Sequence, residues 1–299
     1  VADDHPSKPH PSMLIAALEA TGATPDGAVM VGDTEFDIAM GRAAGLRLAG
    51  GETIMARQGV ICSMTPAQLY GRLLRNVTAA GPQREAAAGF VHGKGNMQIH
   101  YALNSAPDWP SPELGKVALL HLTSGLNGVS RAVNEAERGL LPAEPTICAG
   151  QPTAFDPSRA PEGKAILWLQ LPEAPRRLNG DAAGQISVPA DGKWDEVTRE
   201  AYADRVEALL ARHIPGFRRT VISRRAYSPA DLEAMNSNLV GGDPYGGACG
   251  IDQFFLWRPL KLPANHTTPI KGLYHIGAST HPGPGLGGGS GFLLAQTLR

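Results

Sequence analysis

Residues 271–299 read KGLYHIGASTHPGPGLGGGSGFLLAQTLR, and the fold class turns on this segment. Leu273 to Ile276 is an apolar run of strand character, Gly277 to Gly291 is a loop of small residues, and Phe292 onward has the pattern of a helix. A backbone without Cβ atoms lets a ligand come close, and the first turn of the following helix offers unpaired N–H groups and partial positive charge. The electron-rich edge of a cofactor can rest there. Gly283, Gly285 and Gly288 also satisfy the spacing G-x-G-x-x-G. That fingerprint requires a second strand and an acidic residue about 20 positions further on. Arg299 arrives too soon for either, so the plain Rossmann reading is set aside. The competing reading is a glycine loop with no ligand.

Upstream, the segment Asn236 to Leu260 reads NSNLVGGDPYGGACGIDQFFLWRPL, preceded by RAYSPADLEAMN, and residues 51–74 read GETIMARQGVICSMTPAQLYGRLL. Together with GLYHIGASTHPGPGLGGGSG, these stretches resemble the FAD-dependent oxidoreductases of the phytoene desaturase and carotenoid oxidoreductase group. The resemblance covers roughly residues 51–299, with 81–265 as the substrate part. It implies that the carboxy-terminal strand, loop and helix close over FAD, and that Gly277, Ala278, Ser279, His281, Pro282, Gly283, Gly285 and Gly288 are the cofactor-binding residues. It also implies a small apolar substrate. Members of that group open with a strand, G-x-G-x-x-G and a helix that cradle the pyrophosphate. This sequence has no such opening.

Residues 1–50 carry a different pattern. Lys8-Pro9 and the motif GDTEFD resemble the carboxy-terminal motifs of haloacid dehalogenase-like (HAD-like) phosphatases, and the resemblance implies Lys8 for phosphate and Asp33 and Asp37 for Mg²⁺. The chemistry suits those residue types, because Mg²⁺ prefers hard carboxylate oxygens and lysine is a point charge for phosphate. The nucleophilic aspartate of that family is absent here, so an acidic turn capping a helix over 36–44 is the plainer reading. Helix 12–21 and an apolar strand at 28–31 complete an incomplete α/β unit. The two patterns join near Gly50-Gly51. Val1 and an Arg299 that falls inside a helical pattern both suggest a piece of a longer protein.

Bulk properties narrow the field further. The formal net charge is −1, so no broad basic surface exists to collect nucleic acid. Cys62, Cys148 and Cys249 form no C-x-x-C pair and read as reduced, buried thiols of a cytoplasmic protein. No apolar run reaches the roughly 18 residues of a membrane span, which leaves peripheral membrane contact open. The 36 glycines and 25 prolines fit a loop-rich enzyme. Strands are expected at 117–122, 166–171 and 220–224, with a buried strand near residues 59–63. A helix is expected over Trp194 to His213, with Val197, Ala201, Val206, Leu209 and Leu210 on its apolar stripe.

His92, His100 and His121 lack metal spacing and read as structural; Asp243 reads first as a turn former. Trp168, Trp257, Phe254 and Phe255 read as core more readily than as a substrate wall. The expected fold is α/β: a partial FAD/NAD(P)-binding fold with a mixed-sheet substrate domain, preceded by the HAD-like unit. The expected function is a flavin-dependent oxidoreductase in which this chain is a fragment. The alternatives are an Mg²⁺-dependent phosphohydrolase of phosphoglycolate phosphatase type and a non-catalytic remnant. Open sheet edges in a fragment predict self-association.

Overall fold

A computed structural model describes residues 10–21, 24–25, 29–30, 47–48, 59–262, 266–285 and 288–298. Contacts divide the chain between Val60 and Ile61. In the first unit the described elements are helix α1 (Ser12–Thr21) and the parallel pair β1 (Val29–Met30) and β2 (Arg47–Leu48), in register Val29 to Arg47. The expected helix over 36–44 and the join at Gly50-Gly51 lie outside the described residues. So do Lys8, Asp33 and Asp37.

The second unit is built on five antiparallel strands in the order β10-β4-β8-β7-β5. They are β4 (Gly95–Leu103), β5 (Leu119–Leu122), β7 (Ile147–Gly150), β8 (Ala165–Ala174) and β10 (Val221–Tyr227). Period-two alternation explains the central pair. Met97, Ile99, Tyr101 and Leu103 of β4 point into the core, and Ala165, Leu167, Leu169 and Leu171 of β8 do the same. Ile99 sits opposite Leu169 and Tyr101 opposite Leu167, so the two apolar rows meet in register. A one-residue slip would turn both rows away from the core.

Helix α4 (Glu196–His213) covers that apolar face. Asp195 begins it, its side chain accepting the Thr198 amide at 2.8 Å. Its buried stripe is Thr198, Tyr202, Ala203, Val206 and Leu210. The expected stripe is therefore rotated: Val206 and Leu210 stand, but Val197 is 75% exposed. Tyr202 is the reason, since its hydroxyl donates to the Pro142 carbonyl and its ring needs the interior. The unit also contains α2 (Gly81–Ala88), α3 (Gly125–Glu137), α5 (Phe217–Thr220), α6 (Pro229–Met235) and the parallel pair of β6 (Leu140–Leu141) and β9 (Gly180–Asp181). Parallel and antiparallel pairings in one α/β chain give the mixed architecture that the sequence implies.

The glycine-rich end folds as strand β11 (Leu273–Ile276), loop and helix α7 (Gly289–Thr297), and β11 pairs with β3 (Val60–Ser63). Two expectations are corrected here. Helix α7 begins inside the glycine run rather than at Phe292, because Gly288 takes the left-handed conformation (φ 60°) and turns the chain into it. The strand at 60–63 is exposed, not buried: Val60 and Ile61 are 48% and 55% accessible. Of the three free thiols, Cys148 alone is buried, while Cys62 is half-buried and Cys249 exposed. Trp257 and Phe255 are also more than half exposed, against the core placement expected for them.

Candidate functional site

The chain from β11 into α7 is held open by short bonds among small residues. Gly277 leaves β11 at φ 100°, and its amide donates to the Ser290 hydroxyl at 2.8 Å in the first turn of α7. The Thr280 amide and hydroxyl both return to the Gly277 carbonyl, at 3.0 and 2.9 Å. This closes a tight turn over Ala278 and Ser279. A Cβ at Gly277 would meet the Ser63 hydroxyl at 2.8 Å, and one at Gly283 (φ 116°) would meet the Phe254 ring at 2.9 Å. Those two glycines are required by the protein itself. Gly285 is different: it is exposed and no atom of the other described residues lies within 4 Å of its Cβ position.

The turn is tied to a second loop, residues 241–250. The Ser279 hydroxyl donates to the Gly246 carbonyl at 2.8 Å. Arg258 does more. Its guanidinium is 2% exposed and donates to the carbonyls of Tyr245 (3.0 Å), Gly247 (2.7 Å), Ala248 (3.1 Å) and, across the gap, Ala278. One face of that cation lies 5.3 Å from the Phe254 ring centroid. Burial lowers its pKa, but arginine stays charged, and the ring of carbonyls replaces the water it has lost. His281 joins the same assembly: Nδ1 lies 3.0 Å from the Phe255 carbonyl oxygen, and its ring stands edge-on to Phe255 at 4.7 Å. Pro282 follows a cis peptide and packs beside Gly289.

Asp243 anchors the far side of this loop. Its buried carboxylate accepts the amides of Gly93 (2.7 Å), Tyr245 (2.8 Å) and Gly247 (2.8 Å), and His92 Nδ1 stands 3.8 Å from Oδ2. Burial pushes the carboxyl up, but His92 and the three amides outweigh it and hold the group below the usual carboxylate range. Asp243 is thus a turn former, as expected, whose turn is the wall of the site.

Under the glycine segment, His275 fixes β11 to the chain after β3. Its Nε2 lies 2.6 Å from the Met64 carbonyl oxygen and Nδ1 is buried without a partner, so the ring is neutral with its proton on Nε2. Burial lowers its pKa to about 4.

Of the expected cofactor residues, Gly277, Ala278, Ser279, His281, Pro282, Gly283 and Gly285 follow β11, and Gly288 caps the start of α7. Sequence reasoning passed over Arg258, Ser290 and His275. Arg258 had a signal, a lone cation inside the aromatic run FFLWRPL, where a charge must be either solvated or ringed by acceptors. Ser290, hidden among glycines, had none. No group of three or more His, Cys, Asp or Glu side chains suited to a metal occurs among the described residues.

Comparison with known proteins finds relatives for both parts of the chain. A family model for HAD-hydrolase-like proteins matches residues 5–60. Pyridine nucleotide-disulfide oxidoreductase domain-containing protein 2 from Rattus norvegicus is 29% identical over 84% of the chain and 43% of its own length. A lycopene-forming phytoene desaturase from a Paracoccus species is 26% identical over 86% of the chain and 47% of its own length. A crystal structure of an oxidoreductase from Methanosarcina mazei superposes with a TM-score of 0.47 at 15% identity, covering 89% of the chain and 53% of that structure. The chain thus has phytoene desaturases among its relatives, and it spans less than half the length of these two curated proteins.

Proposed function

We propose that this chain is the substrate-domain and flavin-closing part of an FAD-dependent oxidoreductase that acts on a small apolar substrate. The observation that supports the reading is Arg258, whose buried guanidinium joins the 245–248 carbonyls to Ala278 and so ties the glycine turn to that loop. The residues suit a flavin. Gly285 has no described atom within 4 Å of its Cβ position, the first turn of α7 has no side-chain cap at Gly288, and no acid–base pair is needed in a flavoprotein whose cofactor carries the electrons. Bound there, FAD supplies the two-electron acceptor for removal of hydride equivalents from an apolar C–H bond. The protein's own part is to hold the backbone of 277–283 against the 245–248 loop and orient His281 through the Phe255 carbonyl.

Titration of the purified chain with FAD, followed by quenching of flavin fluorescence, tests the proposal. Saturable binding at micromolar concentration is expected; its absence would assign flavin binding to the longer relatives alone. The reading places the protein in the cytoplasm, in keeping with three free cysteines, and no helix among the described residues is long and apolar enough to cross a membrane.

The match over residues 5–60 supports a second reading for the amino-terminal unit, a HAD-like phosphohydrolase remnant with Asp33 and Asp37 on Mg²⁺ and Lys8 on phosphate. Phosphate release from p-nitrophenyl phosphate that requires Mg²⁺ would support it. With no nucleophilic aspartate in residues 1–50, no release is expected.

A further inference from the structure

Beside the 241–250 loop lies an open cleft of about 700 Å³, floored by the start of β4, the end of α3 and the end of β8. Its apolar walls are Val91, Ala136, Pro172, Pro175 and Ala248. Three cations, Lys94, Arg176 and Arg177, line it against one carboxylate, Glu137. Lys94 and Glu137 are already paired with each other. The two arginines are not spent in this way. Neither makes a hydrogen bond or an ion pair among the described residues, and Arg177 acts on the exposed Asp191 only through space.

Both arginines are nevertheless held in place. Gly241, at φ 62°, has no Cβ where Arg176 crosses it, and a Cβ at Gly192 would meet Arg177 at 2.9 Å. Long cationic side chains laid over glycines, with no acceptor among the described residues, have unused donor forks of the shape that matches a carboxylate or phosphate.

A second feature lies at the same cleft. His92 lines it with a side chain only 7% exposed, and neither ring nitrogen has a hydrogen-bond partner. Nδ1 faces the Asp243 carboxylate at 3.8 Å, and the ring is packed edge-on against Phe90 at 5.3 Å. Both ring nitrogens are enclosed by protein at the edge of the cleft. A buried polar group without a partner costs free energy unless a ligand or water completes it. The carboxylate of Asp243 does not cancel the site, because it is turned to the amides of Gly93, Tyr245 and Gly247.

We propose that this cleft binds an amphipathic small molecule by an anionic head, carboxylate or phosphate, held by Arg176 and Arg177 with His92 completing the polar wall and the apolar body lying against Val91, Pro172 and Pro175. The inference deepens the flavoenzyme reading and rests on it in one respect: the ligand is the substrate only if the flavin sits at the neighbouring glycine turn. The substrate of such an enzyme is then an apolar molecule with an acid at one end.

Calorimetric titration of the full chain with decanoate, decyl phosphate and decanol, without FAD, tests the site. At least one of the two anions is expected to bind saturably and at least tenfold more tightly than decanol, and comparing them tells carboxylate from phosphate. Arg176→Gln/Arg177→Gln should weaken that anion tenfold or more, and His92→Asn should weaken it in an otherwise folded protein. Both arginines are exposed, so the double variant keeps its fold, which circular dichroism checks. Equal binding of decanol, no binding of either anion, or unchanged affinity in the double variant would overturn the proposal. A chain that binds decanoate yet fails the FAD titration keeps the cleft and loses the flavin reading; the converse result loses the cleft alone.

Discussion

Arg258 is the residue on which the site's geometry depends most. Its guanidinium satisfies carbonyls from two segments that share no sheet pairing, and its own charge is tolerated in the interior only because they surround it. Arg258→Met keeps the bulk and removes the donors, leaving several carbonyls without partners. A loss of about 3 kcal/mol is expected in urea unfolding, together with weaker FAD binding. An unchanged midpoint would show that water replaces the guanidinium at no cost. His275 yields a prediction in pH. Its folded pKa, near 4, lies below the ordinary value of 6.5, so the unfolded chain takes up a proton before the folded one does. The folded state is therefore at no disadvantage at neutral pH and loses stability as pH falls below about 6.5, by roughly 1.4 kcal/mol per unit, until the folded ring itself titrates. Stability measured between pH 7 and 4.5 should fall along that slope in the wild type and more shallowly in His275→Asn. Parallel profiles would show that other groups dominate.

Among elements, the informative one is the segment from β11 to α7. Its glycines do not share one function. Gly283 has positive φ and lies against Phe254, so Gly283→Ala should cost about 1–3 kcal/mol of stability through strain and displaced ring. Gly285 has no atom of the other described residues near its Cβ position. Gly285→Ala should leave stability within about 0.5 kcal/mol of wild type, and if the cofactor backs onto this turn it should lower FAD affinity about tenfold. Thermal unfolding and FAD titration on the same two variants separate the effects. Loss of stability without loss of FAD binding in Gly285→Ala would remove the flavin from this position.

In the whole molecule, one surface of the second unit is apolar and exposed. Ile251, Phe255, Leu256 and Trp257 are 93%, 53%, 73% and 52% exposed, four apolar side chains within seven residues. Monomeric proteins seldom leave such a group in water. Sedimentation velocity should show concentration-dependent species above the monomer, and Leu256→Asp should shift the distribution toward it. A single monomeric boundary at all concentrations would mean that the group is tolerated as it stands.

Much of this was legible in the residues alone. The apolar run 273–276 was bound to be a strand and the small residues after it a loop, because alternation and the absence of Cβ atoms act locally. Helix α4 was legible to within two residues for the same reason. The central strand β4 stood out less, since Gln98 and His100 on its outer face break the apolar run that marks a buried strand. What sequence could not supply was the joining of distant pieces. Which face of α4 is buried depends on where the Tyr202 hydroxyl finds the Pro142 carbonyl. That Arg258, Ala278 and the loop at 245–248 form one surface, and that Arg176, Arg177 and His92 line one cleft, depends on contacts across as many as 150 positions only after the sheet has closed. Local stereochemistry is written into neighbouring residues, whereas the partner of a buried charge is chosen by packing.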